Sequence, residues 1–254
     1  MTYYSYGGDT IKVIVGTDSD FMVNRSSKQA WGLSKDLISH YSHTLRDACN
    51  RERHATDDIC ITLPEDNPCI FELFVRWMLH GTYTRQATDL VTVPLNQEVK
   101  LDAQAWILGH RLRSTEFKNH AMNRVIDQYA TGLAANPITP ADVRYAFEHS
   151  AAKSKLRPFY LDVLPKHFKS KPGVSGEVAE WDTVMQEHQE LRICFLHAMR
   201  NDRDDRLIAL HRKNYMEVDA PGSNNNSVAA MAHQVLPAKR KADDVLIKKE
   251  ATGA

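Results

Sequence analysis

The chain has 254 residues, 32 Lys+Arg against 32 Asp+Glu and an apolar fraction of 43%. That length accommodates one large or two small domains, and the absence of net charge argues against a polyelectrolyte partner. Only 11 Gly and 10 Pro exclude a collagen-like or wholly low-complexity chain. No apolar run approaches the roughly 20 residues needed to cross a bilayer, and Met1 to Gly16 lacks the basic start and apolar core of a secretion signal. An intracellular protein without a membrane partner is the expectation. Cys49, Cys60, Cys69 and Cys194 are too few and too unevenly spaced for a disulfide framework, so reduced thiols are expected.

Ile11 to Val15 alternates and is β-branched, and Gly16-Thr17-Asp18-Ser19-Asp20 supplies turn chemistry, which predicts a first strand leading into a loop. Leu37, Ile38, Tyr41, Leu45 and Ala48 recur every three or four residues and predict one helix from Ser34, its N-cap, to Cys49. Ile59, Ile61 and Leu63 alternate in a second strand stopped by Pro64. Asn67 as cap and Pro68 in the first turn open a core helix in which only Glu72 and Arg76, four apart, carry charge between Cys69 and Leu79. Leu90 to Val93 reads equally as a short strand or a packed loop.

Trp106, Leu108 and Leu112, then Phe117, Ala121, Val125, Ile126 and Tyr129, predict two amphipathic helices broken near Ser114-Thr115 and folded into a hairpin. Asn136 to Pro140 is a linker from which a capped helix runs through Phe147, and a second linker is predicted at Lys169 to Gly176. Val178, Trp181, Val184, Met185, His188, Leu191, Phe195, Ala198 and Met199 predict one long helix within a helical region reaching 215, interrupted or ended by the mixed-charge turn Asp202 to Arg206. From Glu217 onward no aromatic residue occurs and Pro221 to Ser227 is polar and low in complexity, which predicts a disordered tail over 217–254.

Within about residues 9 to 130 the order strand, helix, strand, apolar helix, helical hairpin resembles the BTB/POZ domain. Three blocks carry the resemblance. Ser34-Lys35-Asp36-Leu37-Ile38-Ser39-His40-Tyr41-Ser42 is similar to the family's His-Lys-x-Leu-Leu-x-x-x-Ser stretch, with Ser34 in place of His. Ile61 to Asp66 running into Phe71 to Gly81 is similar to its strand and Phe-(x)n-Trp-Leu-Tyr-Thr-Gly helix end, with Leu79 and His80 replacing Tyr and Thr. Ala105 to Leu112 followed by Phe117-Lys118-Asn119 resembles the hairpin found in many BTB proteins of filamentous fungi.

The resemblance implies an α+β fold: a BTB/POZ-like small sheet wrapped by helices over 1–130, followed by a helical extension over 131–216 and the tail. It implies a non-catalytic protein–protein interaction adaptor that self-associates as a homodimer and recruits protein partners. The family's first strand and first helix often form a two-fold interface, which makes Ile11, Val13, Val15, Leu37, Tyr41 and Leu45 the candidate dimer residues. Their periodicity reports burial and not against what, so the same residues read equally as monomer core. Many BTB proteins also hold a cullin scaffold as substrate receptors of a ubiquitin ligase. Here Asn50-Arg51-Glu52-Arg53-His54 offers no apolar anchor for a partner pocket, and cullin recruitment stands as the alternative.

No G-x-S-x-G elbow, Walker loop, G-x-G-x-x-G turn or H-E-x-x-H helix occurs, so no catalytic residue and no cofactor is expected. The competing class is an enzyme whose site is assembled from distant residues, for instance Cys49 or Cys69 with a remote His. His40, His43, Cys49, His54 and Cys60 form the densest group of metal-ligand types, but a structural zinc needs four convergent ligands and no metal is expected. In the tail, Lys239-Arg240-Lys241 is the pattern of a nuclear-import signal, placing the protein in the nucleus, the cytoplasm or both. Ile247-Lys248-Lys249-Glu250 resembles a SUMO acceptor with Lys248 as its lysine. No zinc finger, recognition helix or basic stripe points to nucleic acid.

Overall fold

A computed structural model describes residues 2–3, 9–17, 28–51, 59–83, 99–131, 137–168, 173–200 and 211–218. They form a mixed α+β fold. Strand β1 is Thr2–Tyr3, β2 is Thr10–Val15, β3 is Gln29–Ser34 and β4 is Cys60–Leu63, in the sheet order β1-β3-β2-β4. The β2 and β3 strands pair antiparallel, with Ile11 opposite Leu33 and Val13 opposite Trp31, and β4 joins β2 in parallel with Ile61 beside Val13. Because side chains alternate across a strand, one face collects Ile11, Val13, Val15, Trp31, Leu33 and Ile61, all buried, while Thr10 and Lys12 face outward.

Helix α1 (Lys35–Tyr41) follows β3 directly, and α2 (His43–Arg51) follows α1. The single helix expected from Ser34 is therefore two, broken at Ser42. Ser34 sits at the N-cap position without a side-chain capping bond. The break has a physical cause: Ser42 Oγ donates to Leu112 O (2.7 Å) and accepts from Leu45 N–H (3.1 Å), while Thr44 Oγ1 donates to Arg111 O (2.8 Å). The start of α2 is thus capped by Ser42, and the last carbonyls of a distant helix gain donors they would otherwise lack.

Helix α3 (Pro68–His80) is as expected, with Asn67 Oδ1 accepting from Cys69 N–H (2.9 Å) and Gly81 closing it in the left-handed region at φ +71°. The Glu72–Arg76 pair closes at 2.7 Å on its outer side. Helices α4 (Leu101–Arg111) and α5 (Thr115–Thr131) form the expected pair, approaching so closely at Gly109 that a Cβ there would lie 2.8 Å from Lys118 Cγ and 3.2 Å from Lys118 N. Helix α6 (Pro140–His149) begins with a capping box between Thr139 and Asp142.

Helix α7 (Leu156–Phe168), absent from the sequence expectation, buries Leu156, Phe159, Tyr160, Val163 and Leu164. The expected linker at Lys169 to Gly176 is in part structured, since Val174 bridges to Ile138. The expected long helix is α8 (Val178–Glu187) and α9 (Gln189–Arg200), broken at His188, whose ring packs 5.2 Å from Phe147. Trp181, Val184, Leu191 and Phe195 face inward as expected, but Val178 is 80% exposed.

A short 3-10 turn (Arg212–Tyr215) lies across α5 and α7, with Tyr215 OH donating to Asp162 (2.6 Å). Glu217, assigned to the tail by its sequence, pairs with Lys118 at 3.1 Å and exchanges two hydrogen bonds with Asn119. The described residues up to 218 fall within one compact unit, and their buried apolar side chains form one cluster. Tyr129 of α5 packs against Phe159 and Tyr160 of α7 at 5.5 and 6.4 Å. Among the described residues no helix is long and apolar enough to cross a membrane. Leu90–Val93 and Asp202–Arg206 lie outside the described residues.

Candidate functional site

Charge inside this fold is engaged between elements. Asp102, fully buried on α4, accepts from Tyr83 OH and Arg124 Nε, both at 2.9 Å, and from Gln128 Nε2. His120, Arg124 and Gln128 stand four apart on α5 and so form one stripe facing that carboxylate. Asp142, also fully buried, accepts from the Lys100 backbone N–H (2.9 Å) and from Lys100 Nζ (2.7 Å), and the same ammonium donates to Tyr129 OH (2.9 Å) and Pro137 O (2.6 Å). Asp66, in the turn after β4, pairs with Arg111 at the end of α4, and burial pushes its pKa up against the pull of that guanidinium.

His120 packs against Tyr83 and Trp77, and its Nε2 has no hydrogen-bond partner. Burial, then the Arg124 charge, hold its pKa below the ordinary value. An imidazole depressed in the folded state takes up its proton first in the unfolded chain, so stability is lost as pH falls through about 6.5 toward the folded value. Urea unfolding at pH 7.5 and 5.5 is expected to show a smaller acid loss for His120→Phe than for the wild type. Equal losses would mean that this ring is not the group responsible.

The candidate dimer residues separate into two sets. Ile11, Val13, Val15 and Leu45 have at most 1% exposure in the single chain, as the monomer-core alternative of the two readings has it. A side chain that already contacts its own fold on every side has no surface to offer a second copy. Leu37 and Tyr41 are half-buried at the rim. The Tyr41 ring meets Trp77 edge-on at 5.1 Å, and burial followed by the Glu116 charge pushes its phenol pKa up.

The sequence-nominated metal-ligand group does not assemble among the described residues. His43 bonds Arg46, Cys49 is buried, Cys60 is half-buried, and His54 lies outside the described residues. The group that does converge is Glu148, Glu187 and His188, with ligand atoms within 4.8 Å of one another. It joins the ends of α6 and α8, nearly forty positions apart, so no local spacing announces it. Arg144 Nε already occupies Glu187 at 2.8 Å, which makes the group an ion-paired rim. Glu52 and Arg53, the import cluster Lys239, Arg240 and Lys241, and Lys248 lie outside the described residues.

A few large apolar side chains stand out on the described surface. Val178, Ile193, Leu196 and Val218 are its exposed large hydrophobics, and two of the four share one turn of α9. A helical projection of 189–200 signals this directly: Ile193 and Leu196 do not belong to the inward set Leu191 and Phe195.

No protein-family model matches the chain, and no curated protein matches it.

Proposed function

We propose that the chain is a non-catalytic protein–protein interaction adaptor of the BTB/POZ type that self-associates and recruits protein partners, in the nucleus for part of its time. The observation that carries this reading is the meeting of the three resembling blocks in one core. Ile38 from the first, Phe71, Phe74 and Trp77 from the second, and Trp106 and Phe117 from the third are buried together. Their element order supports the same reading: a strand pair, α1 and α2, β4, α3, then the α4–α5 pair.

The interior polar chemistry of the described residues serves that scaffold. Asp66, Asp102 and Asp142 each join two or more elements through an ion pair, so these carboxylates set the distances between helices. Recognition then rests on the outer faces. Self-association in this reading does not use the inner strand face, which is core; Leu37 and Tyr41 remain at the rim. The basic run Lys239-Arg240-Lys241 supplies the import signal in this reading, and Lys248 a modification site.

The test is affinity capture with mass spectrometry from the native cell, using the full chain and a version lacking Lys239 to Lys241. Reproducible partner proteins, with an import receptor lost only from the deletion, are expected. Capture of no partner, or turnover of a metabolite by the purified chain, would overturn the reading. Absence of a cullin from the wild-type capture removes the ubiquitin-ligase alternative.

A further inference from the structure

Helix α9 has two apolar sides where a surface helix ordinarily has one. Leu191 and Phe195, with half-buried Met199, face the core, and Phe195 packs 4.8 Å from Phe168. At about 100° per residue, Ile193 projects from the opposite side and Leu196 lies beside it, with exposures of 44% and 59%. Single exposed apolar residues need no explanation. Two on one turn, Ile193 opposite the buried stripe and Leu196 on its flank, with charge at either end, define a short contact surface.

The bracket is asymmetric. Glu190 stands on the outer side at the amino end and Arg200 on the outer side at the carboxyl end, both exposed. Glu190 also makes a 3.4 Å contact with Arg157 of α7, the helix α9 packs on, and its side chain is still 45% exposed. A second α9 laid in parallel would set acid against acid and base against base. Laid antiparallel about a two-fold axis passing between positions 194 and 195, Ile193 meets the partner's Leu196, and Leu196 the partner's Ile193. Glu190 then falls within one residue, about 1.5 Å along the axis, of the partner's Arg200, and symmetry repeats the contact. Antiparallel helix dipoles favour the same arrangement.

We propose that α9 is a self-association helix whose occupant is the α9 of a second copy, paired antiparallel through Ile193 and Leu196 with Glu190 and Arg200 closing the two ends. This rests on the self-association in the function proposed above and assigns it to a face far in sequence from the first strand and helix. A twelve-residue helix is about 18 Å long, and one face of it buries less than the roughly 1,200 Å² of a standard interface. The pair is therefore weak and exchanging, suited to local enrichment of adaptors more than to a permanent dimer.

Sedimentation velocity on the full chain from about 1 to about 500 µM, the span a small interface requires, provides the test. A reversible monomer–dimer equilibrium is expected, weakened about tenfold or more by Leu196→Glu, which removes a central apolar contact and leaves a charge in its place. Glu190→Arg and Arg200→Glu are each expected to weaken it alone. Their equimolar mixture is expected to recover it, because a mixed pair has one exchanged and one native contact. All three positions are exposed, and far-UV circular dichroism and thermal melts confirm that each variant is folded. A wild-type dimer indifferent to Leu196→Glu and to both charge reversals would overturn the α9 assignment and leave self-association to another face. A single-chain mass throughout would overturn both, while partner capture tests the adaptor reading separately.

Discussion

Replacing Asp142 with alanine is expected to lower unfolding stability by about 3–5 kcal/mol, the range for removing one member of a buried ion pair. The carboxylate is fully buried and the Lys100 side chain it faces is only 13% exposed, so the ammonium would be left without its counter-charge in a poorly hydrated place. The same substitution removes the capping box of α6, in which Asp142 Oδ2 accepts from Thr139 N–H at 3.2 Å. Loss of such a box removes acceptors for backbone donors with no helical partner. Asp142→Asn keeps the shape and one acceptor and is expected to fall between alanine and wild type. Urea titrations of the three proteins measure the order. An alanine variant within about 1 kcal/mol of wild type would mean that water replaces the carboxylate and that the pair contributes little net.

The second large effect belongs to Phe117. Its ring is fully buried and lies 5.1 Å from Phe74, 5.3 Å from Trp77 and 5.9 Å from Tyr83, so it joins α3 to α5 through one aromatic cluster. Phe117→Ala is expected to cost about 3–5 kcal/mol, the transfer of the ring plus the cavity it leaves. The gap cannot close easily, because Gly109 already brings α4 against Phe117 and Lys118, where an added Cβ would stand 3.1 Å from Phe117 Cδ1. Leu196→Ala on the outer side of α9 serves as the contrast and is expected to change monomer stability by no more than about 0.5 kcal/mol. Chemical denaturation checks both, and a mild Phe117→Ala would imply that the α3–α5 contact relaxes to fill the space.

These two sites differ in how far sequence alone reaches them. Helix α3 is legible because its signals are adjacent: Asn67 caps it, Pro68 opens it and Gly81 ends it. Helix α6 is legible for the same reason, through Thr139 and Pro140. Helix α7 contains Pro158 and Pro165, residues that ordinarily break a helix. Pro158 falls in the first turn, where an absent N–H costs nothing, and the spacing Leu156, Phe159, Tyr160, Val163, Leu164 was the signal that outweighed both.

The break at Ser42 was not legible, since the carbonyl that rewards it belongs to Leu112. Strand β3 was obscured by Gly32 between Trp31 and Leu33, a residue that weakens a strand and here faces Lys12 in the ladder. The candidate dimer face shows the limit most clearly. Alternation at Ile11, Val13 and Val15 states that these side chains leave water, and the packing of Trp31, Leu33 and Ile61 beside them decides that they do so within one chain. The outer face of α9 escaped because the period through Trp181, Val184, Leu191 and Phe195 accounts for the helix without Ile193 or Leu196.

Caps exchanged over long sequence distances also constrain how the chain reaches its native state. The Ser42 hydroxyl and the Leu112 carbonyl are 70 residues apart, and Lys100 and Asp142 are 42 apart. Such contacts require loop-closure entropy before they return any stabilisation, which slows folding. During synthesis, α2 can find the partner for its Ser42 cap only after residue 112 has left the ribosome, and α4 can bind its lysine's counter-charge only after residue 142. A nascent chain shorter than that holds unfinished helix ends, and chaperone protection is expected to be needed most over that interval.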